Sequence, residues 1–569
     1  MDETAAENGN LPCKRDCRTF AFPSWHETNR LAAQPLRCRT PENLEMKRTV
    51  RPSIALFSLL VLGVQLMSAS EPTSVQLRID SGAIKGVESA DGKVRVFKGI
   101  PYAAAPVGPL RWKPPQPVLP WEGVRPAVEF GARAMQDHIW DDMFFFDPGP
   151  SEDCLYLNVW TPAKDASVKL PVMVWIHGGG FVAGASSEPR QEGSNLSMKG
   201  VVVVSMNYRM GVFGFMAHPE LTAESEHNAS GNCGLLDMVA ALRWVRDNIA
   251  AFGGDPDNVT IFGESAGSIA VSALMASPLA QNLFHKAIGE SGAMLGRAME
   301  TRTLKEAEAA GVEFAEDNFE TSALEKLRAL PAKDVLAAAW KNALWSFRPN
   351  IDGHFLPEAP AAIFAAGKQN HVPLLAGWNL DEGGHEGFLQ GKEPTAESYS
   401  ARATEVFGEE ADKFLQLYPA NTTAEVKRAA GDYAGDSFIA LSTWKWLEAH
   451  ARTGGSPVYR YRFDQASPLP DDAPPGAEPK AAHSWEIEFV FRVLPSKKLP
   501  WRSEDFAVSE LMASYWTNFA KTGNPNGPGL PEWPAYSGES GYPVMHLRAD
   551  AAAAPDAHRA RYEFLDSRP

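Results

Sequence analysis

The chain reads as an α/β protein built on a large, mostly parallel sheet, and three observations lead there. First, short and nearly continuous apolar runs recur at "VMVWI" (172–176), "VVVVSM" (201–206) and "VTIFG" (259–263). Such runs are the pattern of strands buried on both faces. Second, "GLLDMVAALRWVRDNIAAF" (234–252) lies between the last two runs and repeats its apolar residues at helical spacing, with Gly253-Gly254 to stop it. Strand, helix, strand in that order calls for a crossover, hence parallel pairing. Third, the chain has 569 residues, 44% of them hydrophobic and 22% charged, which is enough for one large core.

The elements follow in order. "VQLRIDSGAIKGVES" (75–89) and "KVRVFKGIPYA" (93–103) alternate polar and apolar residues, as strands of an antiparallel meander do. A proline-rich stretch, Pro101 to Pro120, predicts extended surface chain. "LYLNVWTP" (155–162) opens the run of central strands. Beyond residue 265 the pattern is helical and alanine-rich from about 300 to 345, returns to a strand at Val372–Asn379, and is helical again to about 453. "PVYRYRF" (457–463) reads as a strand and Ser467–Lys480 as a loop. "SEDFAVSELMASYWTNFAKTG" (503–523) is a last helix before a loop-rich tail. With no repeat and no clean linker, residues 71–569 are expected to form a single domain with helical insertions.

The start differs from the rest. Residues 1–45 are polar and aperiodic and read as a misassigned or non-structural extension. Lys47, Arg48 and Arg51 then precede an apolar run, Ile54–Leu66, and the small residues Ser68-Ala69-Ser70. That is the anatomy of a signal peptide over 46–70, and it predicts a secreted or periplasmic protein. The apolar run is too short for a stable membrane span.

The net charge of −16 excludes a nucleic-acid partner on electrostatic grounds. Only Cys154 and Cys233 lie beyond residue 70, too few for a disulfide scaffold. No H-E-x-x-H or paired C-x-x-C spacing occurs, so neither metal nor cofactor is expected.

One short motif carries chemistry. Gly263-Glu264-Ser265-Ala266-Gly267 matches G-x-S-x-G between a strand and a helix. Bulky neighbours would clash at so tight a turn, which lifts the serine hydroxyl clear of the sheet. The N–H of Ala266 then points where an oxyanion would form, at the positive end of a helix. "HGGGF" (177–181) follows a strand and fits a loop that supplies further oxyanion donors. A serine nucleophile needs a base and an acid, in the order serine, acid, histidine for this architecture. Asp381 and Glu382 both follow a strand, and the residues alone leave the acid open between them. His385 is too near the acid, His450 sits on a helical pattern and His558 lies in the tail. His483 ranks first as base, with His546 next.

Taken together, the chain resembles the type B carboxylesterases, the family that includes the cholinesterases. The likeness spans roughly residues 75–547 and rests on "FKGIPYAAAPVGPLRW", "SEDCLYLNVWTP", "VMVWIHGGGF", "NYRMGVFGF", "GNCGLLD", "FGGDPDNVTIFGESAGS", "NLDEGG", "HSWEIEFVF" and "YWTNFAKTGNPN". It implies an α/β-hydrolase fold with helices on both faces of the sheet. It also implies Ser265 as nucleophile, Glu382 as acid and His483 as base, with oxyanion donors at Gly179, Gly180 and Ala266. Arg111 and Glu152 match a pair the family uses structurally. The expected substrate is a small carboxylic ester, handled by a monomer or homodimer. The alternatives are a lipase, thioesterase or amidase on the same fold, or a non-catalytic binding module.

Two departures from the family pattern stand out. Met135 occupies the place of the first disulfide's upstream cysteine, so Cys154 is expected to be a free, buried thiol. No tryptophan matches the one that holds a quaternary ammonium, so cholinesterase activity is not expected. In the same segment Phe144–Phe146 either line the pocket mouth or pack their loop onto the body.

Overall fold

The computed structural model describes residues 73–296 and 301–568; the expected extension (1–45) and leader (46–70) lie outside them. A 13-stranded sheet forms the centre. Its first strands, β1 (Ser74–Ile79), β2 (Gly82–Glu88) and β3 (Arg95–Pro101), are the antiparallel meander that the alternation predicts. β4 (Tyr156–Thr161) pairs antiparallel with β3. The main block follows: β5 (Leu170–Ile176), β6 (Val202–Met206), β7 (Gly254–Glu264), β8 (Lys286–Glu290), β9 (Leu374–Asn379), β10 (Val458–Phe463) and β11 (Pro543–Leu547). β12 (Ala552–Pro555) closes the far edge. The spatial order is β1-β2-β3-β4-β6-β5-β7-β8-β9-β10-β11-β12, with Val124–Pro126 alongside β2. Pairing is parallel from β6 through β11 and antiparallel at both edges, except that Val124–Pro126 runs parallel to β2.

Strand order reverses beside β5. The chain turns back to place β6 on one side of β5, then crosses to place β7 on the other. In open parallel sheets such a switch point leaves a crevice outside the carboxyl ends of the strands. Here those ends carry the glycine loop, after β5, and Ser265, after β7. Every residue of β6 and β9 is buried, which explains why they read as unbroken apolar runs.

Helix α1 (Cys233–Asn248) is the predicted crossover between β6 and β7; a 3-10 turn, Ile249–Phe252, continues from it and ends at Gly253, with φ 80°. Helix α2 (Ala266–Ala276) is buried along its whole length, consistent with its lack of any charged residue. Its Ile269, Val271, Leu274 and Met275 each contribute about 1.5–3 kcal/mol by burial, which anchors the helix that follows the serine. Downstream come α3 (Thr423–Gly435) and α4 (Leu441–Thr453), joined by a π-helical turn at Asp436–Ala440. The predicted last long helix is α5 (Ser503–Thr522).

The loop-rich tail is only half right. Residues 524–542 are irregular, but the chain then forms β11, β12 and helix α6 (Arg559–Asp566). β12 is Ala-Ala-Ala-Pro, and alanine carries no strand signal of its own. Its strand conformation comes from pairing with β11.

Candidate active site

Ser265 stands at the junction of β7 and α2 with φ 54° and ψ −119°, a conformation costly for a residue with a Cβ. Its N–H donates to Glu290 O at 2.8 Å, and its own C=O accepts from Ile269 N at 2.9 Å, so the turn is held from both directions. The flanking glycines are steric necessities. A Cβ on Gly263 would lie 2.6 Å from the Ile176 carbonyl oxygen, and one on Gly267 only 2.0 Å from the same atom. Both contacts are far inside van der Waals distance, so β5 and the serine turn fit together only because these side chains are missing.

The glycine loop packs directly against the serine. A Cβ on Gly178 would sit 3.2 Å from Ser265 Cβ. Gly179 (φ 101°) and Gly180 (φ 62°) adopt left-handed backbone. The loop is fixed from below: Tyr208 Oη donates to the His177 carbonyl at 2.8 Å and its ring stacks on the imidazole at 4.4 Å. Burial lowers the His177 pKa to about 4, so that imidazole is neutral and structural. Among the described residues no hydrogen bond takes the N–H of Gly179, Gly180 or Ala266.

His483 comes from the loop after Ser467–Lys480, and Glu382 from the loop after β9. The Ser265 hydroxyl lies 3.0 Å from His483 Nε2, and His483 Nδ1 lies 2.6 Å from Glu382 Oε2. The other Glu382 oxygen accepts from Ser291 Oγ at 2.5 Å and Asn379 N at 2.7 Å, which aims the carboxylate at the ring. Phe438, on the π-helical turn, stands edge-on to the imidazole at 5.4 Å. The His483 side chain keeps 28% of its surface accessible, while those of Glu382 and Glu264 keep 2% each. Glu264 Oε1 reaches 3.2 Å from His483 Nε2. Burial disfavours the imidazolium, but Glu264 and then Glu382 outweigh it and raise the His483 pKa.

The remaining candidates lie elsewhere. Asp381 braces the histidine loop instead of reaching the ring: it accepts from Ala481 N and Arg428, each at 2.9 Å. His546 pairs with Asp464 at 2.7 Å at the ends of β11 and β10. His450 is buried on α4 and meets the Val372 carbonyl at 2.8 Å. His385 begins a short helix beside Glu386, and His558 precedes α6. Sequence reasoning missed Ser291, Asn379 and Phe438. Ser291 had a positional signal, since it directly follows β8 at the same end of the sheet.

The departures also resolve. Cys154 and Cys233 are buried free thiols, and Arg111 clamps Glu152 with two bonds of 2.6 Å while holding the Leu327 and Leu330 carbonyls. Phe145 packs under the Arg133 guanidinium at 4.6 Å, which anchors its loop, whereas Phe144 and Phe146 are 64% and 67% exposed. Among the described residues no helix is long and apolar enough to cross a membrane, and no cluster of three His, Cys, Asp or Glu could hold a metal ion.

Comparison with known proteins identifies the family. The model of the carboxylesterase family matches residues 72–565. The chain is 38% identical over 501 residues to a fumonisin B1 esterase of Sphingopyxis macrogoltabida, covering 84% of this chain and 88% of that protein. It is 38% identical over 477 residues to a para-nitrobenzyl esterase of Bacillus subtilis (strain 168), covering 81% and 92%. A solved structure of PNB esterase superposes with a TM-score of 0.72 at 36% identity, covering 86% of this chain and 99% of that one. The fold is therefore an α/β-hydrolase, and the chain belongs to the carboxylesterase family and is a carboxylic ester hydrolase.

Proposed function

We propose that Ser265 is the nucleophile, His483 the general base and Glu382 the acid that orients it. The observation that carries this is the continuous path from Ser265 Oγ to Nε2 at 3.0 Å and from Nδ1 to Glu382 at 2.6 Å. Glu382 fixes the proton on Nδ1, leaving the Nε2 lone pair for the serine hydroxyl. As Oγ attacks the acyl carbon, the proton moves to Nε2 and negative charge gathers on the carbonyl oxygen. The N–H groups of Gly179, Gly180 and Ala266 receive that charge, aided by the N-terminus of α2. The protonated ring then gives its proton to the departing alkoxide, and water frees the acyl-enzyme by the same steps in reverse.

The substrate side is read from two indoles. A Cβ on Gly180 would lie 2.7 Å from the Trp345 ring and 3.8 Å from Trp140, and the two rings stand 6.3 Å apart. They fill the space on one side of the oxyanion loop, so the ester group directed there is short. Trp345→Ala is expected to raise kcat/KM for p-nitrophenyl octanoate relative to acetate by roughly 10-fold, on the scale of a few methylenes' worth of hydrophobic contact. A chain-length profile unchanged by that substitution removes Trp345 from the pocket.

The leader pattern at 46–70 supports an exported enzyme. N-terminal sequencing of the mature protein is expected to begin at Glu71. A mature chain that retains residues 54–66 contradicts export by cleavage.

A further inference from the structure

Trp140 belongs to a loop whose other aromatic residues the mechanism above does not use. Residues 133–134 pair with 150–151 and close the base of this loop. Three ties hold it against the catalytic loops. Gln136 donates to the Gly184 carbonyl at 2.8 Å and accepts from Gly184 N at 2.9 Å, just past the oxyanion glycines. Asp142 lies 3.9 Å from Arg190 Nη1, which donates to the Oγ of Ser484, the residue after His483, at 3.4 Å. Asp147, its side chain fully buried, accepts from Arg133 Nη1 at 2.6 Å and from Ser187 Oγ at 2.5 Å.

Between the last two ties burial alternates along the chain. Met143 is buried, Phe145 packs under Arg133 and the Asp147 carboxylate is buried, while Phe144 and Phe146 face outward. A period of two is what extended chain imposes, so the two outward rings share one face, about 7 Å apart along the chain. Among the described residues no phenylalanine is more exposed than these two. Leaving two rings in water forgoes the stabilisation that burial gives, on a loop otherwise pinned to the body. A small apolar face of this kind, beside an active site, suits an apolar ligand.

The chemistry fixes which part of an ester passes here. The departing alkoxide takes its proton from His483 Nε2, so the alcohol portion lies on the histidine side of the site. Trp140 and Trp345 limit the group beside Gly180 instead. The contacts of Asp142 with Arg190 and of Arg190 with Ser484 bring the loop round to the histidine side just before Phe144. We propose that Phe144 and Phe146 are specificity-determining residues that receive the alcohol portion of the substrate, and that this portion is a flat apolar ring system. Two rings on one face match such a group, since aromatic pairs stack or meet edge to face at roughly 4.5–7 Å. Asp137, Asp141 and Asp142 on the same loop disfavour an acidic substituent there. The proposal rests on His483 being the general base.

The test compares 2-naphthyl acetate with ethyl acetate in wild type, Phe144→Ser, Phe146→Ser, the double variant and His483→Ala. Both esters form the same acetyl-enzyme, so a difference in kcat/KM between them reports the stage at which the alcohol is still bound. Each single variant is expected to lose roughly three- to tenfold in kcat/KM on 2-naphthyl acetate, mostly through a higher KM, and the double variant more. Ethyl acetate is expected to change by less than about twofold, because it does not reach the rings. Both side chains are exposed, so the substitutions remove no buried contact, and either single variant carries the test if the other fails to fold. A loss shared equally by the two esters, or no loss on either, overturns the proposal. So does a loss that instead grows with acyl length from p-nitrophenyl acetate to octanoate, which would put the rings on the acyl side. Full activity in His483→Ala would overturn the assignment of the base, a separate failure.

Discussion

Ser265→Ala is expected to lower kcat on p-nitrophenyl acetate by roughly 10⁵-fold, about 7 kcal/mol of barrier, with the fold intact. The loss is large because the whole constellation acts through one oxygen. Without Oγ the proton has no donor at Nε2, the acyl-enzyme has no point of attachment, and the oxyanion donors have only a water-derived intermediate to hold. Residual hydrolysis from binding and the oxyanion loop remains, at a level near 10³-fold over water. The turn itself tolerates the change, since the Ser265 contacts that hold it are main-chain bonds to Glu290 and Ile269. Thermal unfolding and circular dichroism should therefore match wild type while turnover falls. A variant that keeps more than a few per cent of wild-type kcat would place the nucleophile elsewhere.

The second large effect is on stability. Asp237→Ala is expected to cost about 3–5 kcal/mol, read as a lower urea midpoint. Asp237 lies on α1 and Arg209 just beyond β6, and their side chains are 0% and 3% exposed. The carboxylate accepts from Arg209 Nε at 2.8 Å, Nη2 at 2.7 Å and the main-chain N at 3.1 Å. Arg209 Nη1 goes to the Lys113 carbonyl at 2.8 Å. Removing the acid strands a guanidinium that cannot lose its charge, and among the described residues no other carboxylate bonds it. The damage should extend to catalysis, because Tyr208, the residue that props the glycine loop, directly precedes Arg209 in the chain. Asp237→Asn, which keeps the volume and one acceptor oxygen, is expected to cost clearly less. Equal midpoints for wild type and Asp237→Ala would show that the pair adds nothing to the fold.

How much of this was legible beforehand depended on whether a residue's role was local. The parallel sheet was legible, because strands buried on both faces must be apolar throughout, and the runs at 172–176, 201–206 and 259–263 have few polar residues. Ser265 was legible for the same kind of reason. Its two glycines are dictated by a single carbonyl, that of Ile176 on the adjacent strand. The base was not local. Glu382 with His483, at 2.6 Å, and Asp464 with His546, at 2.7 Å, are near-identical pairs of acid and imidazole at the ends of neighbouring strands. Only the position of Ser265 separates them, and the residues alone do not give it; the family likeness chose the first pair. The acid posed the same problem in miniature. Asp381 and Glu382 are consecutive, so one points to His483 and the other to the backbone of Ala481. Ser291 and Asn379 act by supporting Glu382 across the sheet. No spacing announces such meetings. The strand at 552–555 was invisible because pairing with β11, not composition, makes it a strand.

The most direct measurement is to trap the covalent intermediate. The purified enzyme is treated with a stoichiometric organophosphorus ester, which phosphorylates an activated serine and is hydrolysed off only slowly. The digest is then read by mass spectrometry. The account predicts one equivalent of label, on Ser265, with activity lost in proportion, and no label in either Ser265→Ala or His483→Ala. Label on another residue, or full inactivation while Ser265 stays unmodified, would contradict it.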